Sequence, residues 1–302
     1  MPGLAGRHST PTFACSRPLA GRLIGAAVAV LAAAAPLTAS PAAAATVTEA
    51  FSAHAAGSTM TVDHAAWDGL LKSYVKPSAD GVNRVDYAAF KAAGHKPLKD
   101  YVSRLEATDP VKLDRPEQFA FWANLYNAKT IDIILDHYPV ASIRDISIGG
   151  GLVGLLKKSV GAGGPWKAEV SKVNGRALTL DNIEHDILRP VFKDPRVHYS
   201  VNCASYGCPN LGTEAFTGAR LDMQLDAGAR AFVNHPRGIA VEGGKITASS
   251  IYDWFQADFG GSAASVLAHV RKYATADTAK KIEALSAIDA YQYDWKLNDI
   301  AR

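Results

Sequence analysis

The chain is predicted to fold as a single helix-rich α+β domain with a small sheet, behind a cleaved N-terminal export signal. Three observations predict this. Apolar residues recur at helical spacing over several long stretches, period-two alternation is confined to a few short segments, and neither a repeat nor a Pro- or Ser-rich linker divides the chain after residue 63. The elements follow in order along the sequence.

Residues 1–45 have an arginine-bearing start without acids, an apolar stretch from Leu23 to Leu37 and a run of small residues ending at Ala45, the three parts of a secretory signal. Cleavage is expected before Thr46, so the mature protein is expected to be secreted or periplasmic; an Arg-rich, acid-poor organellar transit peptide shares part of this pattern. The apolar stretch is broken by Pro36 and falls short of the roughly 20 residues needed to cross a bilayer, and no later stretch is longer, so no membrane span is expected after cleavage. Residues 46–62 are Ala-, Ser-, Thr- and Gly-rich without pattern and read as a linker; residues 63–302 read as the globular domain.

Within that domain Trp67, Leu70, Leu71 and Tyr74 predict a helix, and Gly81 to Tyr87 alternates as a strand does. Leu98, Tyr101, Val102 and Leu105 predict a second helix, stopped by Asp109-Pro110, and the longest helix is expected from about Pro116 to His137. Gly149 to Gly164 is expected to be a mobile loop. Asn174-Gly175 turns a hairpin of Ala168 to Val173 and Ala177 to Leu180. A short helix after Asp181, a strand over Val197 to Asn202, a loop with two cysteines and three or four further helices complete the order.

The balance of charge narrows the functional classes. The chain of 302 residues carries 32 Lys and Arg against 29 Asp and Glu, a formal charge of +3. Arg7, Arg17 and Arg22 lie in the expected signal, and without those three the count is even, so the sequence gives no support to nucleic acid as a partner. Cys15 leaves with the signal, and the mature chain keeps Cys203 and Cys208.

Three constellations can carry chemistry. On the long helix Gln118, Lys129 and Asp132 fall on one side, expected to face water, and Asn124 and Asn127 fall nearly opposite. Two carboxamides on a core-facing stripe must be hydrogen-bonded; they either tie down a loop or line a cleft. In Asp181 to Arg189, Asp181 with Glu184 makes a capping-box pattern, and His185 shares a face with Arg189. In the strand expected over Val197 to Asn202, alternation puts His198, Ser200 and Asn202 on one side and delivers His198 and Asn202 beside Cys203. Thiol, imidazole and carboxamide are the types a cysteine nucleophile requires. Cys203 and Cys208 can equally form a disulfide in an oxidising compartment, or bind zinc together with histidine. Gly149 to Gly154 has the spacing of a dinucleotide-binding loop, but a second glycine cluster at Gly161 to Gly164 interrupts the helix that such a loop requires.

These segments resemble the domain-of-unknown-function 547 (DUF547) family, found in secreted or periplasmic bacterial proteins and in plant proteins. The resembling pieces are Gly81 to Tyr87, Ala120 to Ala128, Tyr138-Pro139, Ser142 to Ile146, Leu178 to Arg189, Asp194 to His198, Asn202 to Ser205 with Cys208-Pro209, Trp254 with Asp258-Phe259, and Tyr293 to Asn298. The resemblance implies no reaction. Its motifs coincide with Asn124, Asn127, Glu184, His185, Arg196, His198, Cys203 and Cys208, and leave His235 outside.

The expectation is a cysteine-dependent hydrolase or acyl transferase acting on a small molecule or peptide. Cys203 is the nucleophile, and His198 is the base, or His185 if the His198 side chain points away from the loop. Asn124, Asn127 and Glu184 complete the catalytic set, with Arg196, Asn202, Ser205 and Arg189 contacting substrate. No cofactor or metal is expected. The alternative is a non-catalytic envelope binding module stapled by a Cys203–Cys208 disulfide.

Overall fold

A computed structural model of the chain describes residues 45–148 and 164–301, so all but the last residue of the expected signal, the Gly149 to Gly154 spacing and all but the last residue of the loop expected over Gly149 to Gly164 lie outside the described residues. The order begins with α1 (Val47–Phe51), which Thr46 and Glu49 close with a reciprocal capping box. Phe51 is buried and meets the ring of Trp122 edge-on at 4.9 Å. The first part of the expected linker is therefore a core element: one well-capped turn with a single large aromatic suffices to seat it.

α2 (Ala65–Tyr74) follows, then β1 (Val75–Pro77) and β2 (Asn83–Val85), paired antiparallel with Val75 opposite Val85. A helical turn from Tyr87 runs through a widened π turn at Phe90–Gly94 into α3 (His95–Glu106). α4 (Arg115–His137) is the axis of the fold. Asp114 accepts a hydrogen bond from Glu117 N at its start, Pro116 occupies its first turn, and no glycine interrupts it.

The side of α4 that carries Gln118 and Asp132 does not face water: both residues are buried. Gln118 donates to the carbonyls of Ala53 and Pro110 at 2.7 and 3.2 Å, and Asp132 accepts from His95, Lys99 and Lys129 at 3.0, 2.9 and 2.9 Å. Other chain surrounds this helix on every side, so polar residues along it mark hydrogen-bonded neighbours rather than solvent. His95, Asp132 and Asp136 have ligand atoms close enough for a metal, but Lys99 and Lys129 already neutralise these carboxylates, and the group acts as an ion-pair knot pinning α3 to α4.

The hairpin forms as expected, from β3 (Ser171–Val173) and β4 (Arg176–Leu178) with Val173 opposite Arg176. Asn174 and Gly175 both take positive φ, 49° and 77°, as a type I′ turn demands. A π-helical segment, Asn182–Leu188, continues into α5 (Arg189–Phe192). The chain then enters a 3₁₀ helix, Pro195–Tyr199, where alternation predicted a strand. Asp194 accepts from Arg196 N and Pro195 sets the first helical φ, and this start signal overrides a period-two pattern of only six residues.

After α6 (Leu221–Val233) comes a three-stranded sheet that the sequence reading did not anticipate. β5 (Ile239–Glu242) and β6 (Lys245–Ser249) are antiparallel, and β7 (Ala290–Gln292) joins β6 in parallel after α7 (Ile251–Trp254), α8 (Ala263–Tyr273) and α9 (Ala276–Ile282). Two hydrophobic clusters result, one around α4 and one around α6 and α8. The Pro195–Tyr199 turn bridges them, with Val197 in the first and Tyr199 in the second.

Candidate thiol site

The loop after that turn is held from both sides. Asn127 donates to the carbonyl of Ser200 at 2.8 Å and accepts from the backbone N–H of Asn202 at 2.8 Å. Asn202 in turn donates to the carbonyl of Pro209 at 2.7 Å and accepts from Ala204 N at 2.8 Å, closing the loop on itself. The last segment of the chain pins it from outside: Tyr206 N donates to Lys296 O at 2.7 Å and Gly207 N to Asp294 O at 2.8 Å. A Cβ at Gly207 would lie 2.8 Å from Asp294 N, so this close approach requires glycine. Ala204, directly after Cys203, is held at φ +59°, a left-handed conformation that costs alanine about 1–2 kcal/mol.

This clamp brings two sulfurs and two hydroxyls together. Both cysteines are free thiols, Cys208 buried and Cys203 partly exposed. Tyr293 Oη lies 3.1 Å from Cys203 Sγ, 2.9 Å from Cys208 Sγ and 2.7 Å from Ser205 Oγ. Ser205 Oγ lies 3.3 and 3.4 Å from the two sulfurs, and Cys203 N donates to Cys208 Sγ at 3.1 Å.

Burial opposes ionisation of Cys208, but the hydrogen bonds from Cys203, Ser205, Tyr293 and the Cys203 backbone outweigh it and bring that thiol down to about 6. Its hydrogen bond to Cys208, then burial, then the charge on Cys208 push the Cys203 thiol well up. The two therefore share one proton between them, and the first ionisation belongs to the pair. Burial and the neighbouring sulfurs keep the Tyr293 hydroxyl protonated, so it remains a donor.

Arg237 is buried below the loop. It donates to Tyr206 O at 3.0 Å, has no carboxylate in ion-pair contact among the described residues, and is electrostatically coupled to Cys208. Burying a guanidinium without a counter-charge is costly, and a thiolate on Cys208 supplies one.

A pocket of about 170 Å³ opens over Cys203. Asp181, Glu184 and His185 line it from the π-helical segment, together with Phe255, Trp254, Trp166 and Trp295. Asp181 does not cap its helix. Thr179 and Asn182 exchange hydrogen bonds of 3.0 and 2.9 Å in its place, starting the helix earlier and freeing Asp181 and Glu184 to face the pocket.

His198 also lines the pocket. It is buried, stacked on Phe255 at 4.4 Å, and its Nε2 lies 2.7 Å from Asp258 Oδ2. The hydrogen bond to His198 and the Arg189 guanidinium, acting against burial, hold the Asp258 carboxyl well below the usual carboxylate range. Arg189 binds Asp258 with two nitrogens at 2.6 and 3.2 Å and donates to His185 Nδ1 at 3.3 Å.

The structure thus gathers Cys203, Cys208, Glu184, His185 and His198 at one pocket, with Ser205 buried against the two sulfurs. It does not bring an imidazole to the sulfur: among the described residues neither thiol hydrogen-bonds to a histidine. Asn124 belongs elsewhere, exchanging bonds of 2.8 and 3.0 Å with the backbone of Phe216. Arg196 is spent on Asp194, Asp222 and Asp226 at 2.6, 2.8 and 2.9 Å and ties its turn to α6 instead of reaching the pocket. Sequence reasoning missed Tyr293, Asp258 and Arg237. The first two stand inside segments that resemble the DUF547 family, Tyr293 to Asn298 and Trp254 with Asp258-Phe259, whereas Arg237 carried no signal.

A family model described as a protein of unknown function, DUF547, matches residues 110–233. That stretch holds α4, the π-helical wall and both cysteines, while Trp254, Asp258, Tyr293 and Trp295 come from beyond it. No curated protein and no solved structure matches the chain.

Proposed function

With residues 110–233 carrying the DUF547 match, whose description assigns no activity, we propose that this pocket is the site of a cysteine-dependent hydrolase or acyl transferase in an exported protein. The observation that carries this is a pocket-facing thiol, Cys203, bonded into a cluster that accepts its proton. Cys208 takes the role expected of histidine. As Cys203 Sγ attacks an acyl carbon, its proton passes to Cys208; the S–C bond forms, the bond to the leaving group breaks, and the proton goes on to the leaving atom. Water or a second acceptor then attacks the thioester and returns a proton to the pair. His198, oriented by Asp258 and lining the same pocket, is the base for that second step.

Incubation with p-nitrophenyl acetate tests the reading. An acetyl group on the Cys203 peptide with release of p-nitrophenolate supports it, and the Cys203→Ser variant should show neither. Verified free thiols with no acyl adduct would remove it.

The shared cluster also favours a second reading, a binding module in which the neighbouring sulfurs oxidise to a disulfide staple. Under it, Cys203→Ala costs about 2–5 kcal/mol of stability and changes no reaction.

A further inference from the structure

We propose that the pocket selects substrates carrying a protonated amine or quaternary ammonium group close to the acyl group, which rests on the thiol reading above. Four carboxylates are buried among the described residues: Glu117, Asp132, Glu184 and Asp299. Glu117 accepts from the backbone N–H groups of Val62 and Gly218, Asp132 holds two lysines, and Asp299 accepts from Ala301 N and the Tyr138 hydroxyl.

Glu184 is 8 % exposed and lines the pocket, and among the described residues it has neither a backbone N–H nor a lysine or arginine in ion-pair contact. Its neighbours are the Tyr126 hydroxyl and His185, whose Nδ1 is 3.9 Å away. A guanidinium only donates, so His185 Nδ1 already accepts from Arg189 and does not donate to Glu184. Asp181 adds a second carboxylate to the same wall, 3.9 Å from His185 Nε2.

Aromatic rings line the same pocket as these acids. Trp254 is 47 % exposed and stacks on Trp295 at 5.8 Å, and Trp166 meets Trp295 edge-on at 5.7 Å. The guanidinium of Arg144, which does not line the pocket, lies 5.3 Å from the Trp295 ring, so this indole already carries one cation–π contact. A buried carboxylate without a counter-charge among the described residues, sharing a pocket with indole rings, is the donor set for an ammonium group: the carboxylate supplies charge and the rings replace hydration. A cavity of about 170 Å³ takes an alkylammonium of a few carbons.

Charge-graded alkylation of the reduced protein tests this. Rates of Cys203 modification by 2-bromoethylamine, iodoacetamide and iodoacetate are each divided by the rate with N-acetylcysteine. The expected order is cation, neutral, anion, with about a tenfold preference for the cation over the neutral reagent. Glu184→Gln should abolish that preference. Independently of any variant, butylammonium should protect Cys203 from iodoacetamide, and butyrate should not. A flat order, or a preference that survives in Glu184→Gln, overturns the selectivity while the thiol reading stands. Cys203 inert to iodoacetamide overturns both.

Discussion

Replacing Asn127 by alanine removes the clamp that carries Cys203, and the cost follows from the geometry. The Asn127 side chain makes two bonds of 2.8 Å, to Ser200 O and from Asn202 N, and both residues are buried, with 4 % and 3 % exposure. The variant leaves a carbonyl and an N–H unpaired out of reach of bulk water, at about 1–3 kcal/mol each, so about 2–6 kcal/mol together. For a domain of this size each kcal/mol is about 2–4 °C in Tm, which sets the expected drop at roughly 5–20 °C by differential scanning calorimetry. Asn124→Ala orphans the backbone of Phe216 in the same way and should lose a similar amount, but only Asn127→Ala should also change the rate at which Cys203 is alkylated. An Asn127→Ala protein with an unchanged Tm and abolished acyl transfer refutes the clamp and makes the carboxamide a catalytic group.

Three other perturbations bear on the site and its surroundings. Arg237→Gln removes the cation coupled to Cys208, so the midpoint of ultraviolet thiolate absorbance should move upward from about 6; an unmoved midpoint shows that this charge does not reach the sulfur. Asp258→Asn releases His198 from its orienting carboxylate and should lower acyl turnover about a hundredfold or more with the iodoacetamide rate at Cys203 retained; equal losses in both would assign Asp258 to the fold alone. Burial lowers His269 to about 4, against about 6.5 for an unfolded chain. As pH falls below 6.5 the unfolded state binds this proton first. The stability contributed by neutral His269 is therefore complete above that pH and is lost progressively towards pH 4. Urea midpoints across this window should fall less steeply in His269→Gln than in the wild type.

Sequence pattern revealed the elements whose signals are local. The Asn174-Gly175 turn, the start and stop of α4 and the spacing of Leu98, Tyr101, Val102 and Leu105 all depend on residues within a few positions of one another, and each element forms where expected. The failures arise where two local signals compete or where distant chain decides. Asp194-Pro195 starts a 3₁₀ turn against an alternating pattern, and Thr179-Asn182 displaces Asp181 from its cap. Gln118 and Asp132 looked solvent-facing because a single helix cannot reveal that neighbours enclose it. At the site, the residue types around Cys203 were legible. That the proton acceptor is a second thiol with Tyr293, some 90 residues away, depends on a tertiary crossing that no spacing encodes.

The central claim is that Cys203 and Cys208 form one ionising unit facing a pocket. The pH profile of iodoacetamide alkylation of the reduced native protein, resolved by mass spectrometry of the two cysteine peptides, tests it most directly. The account predicts modification of Cys203 at a rate that follows the first ionisation of the pair and so rises below the ordinary thiol range, a protected Cys208, and a profile that returns to the ordinary thiol range near 8.5 in Cys208→Ser. A wild-type profile already centred in that ordinary range, or equal modification of both cysteines, would contradict it.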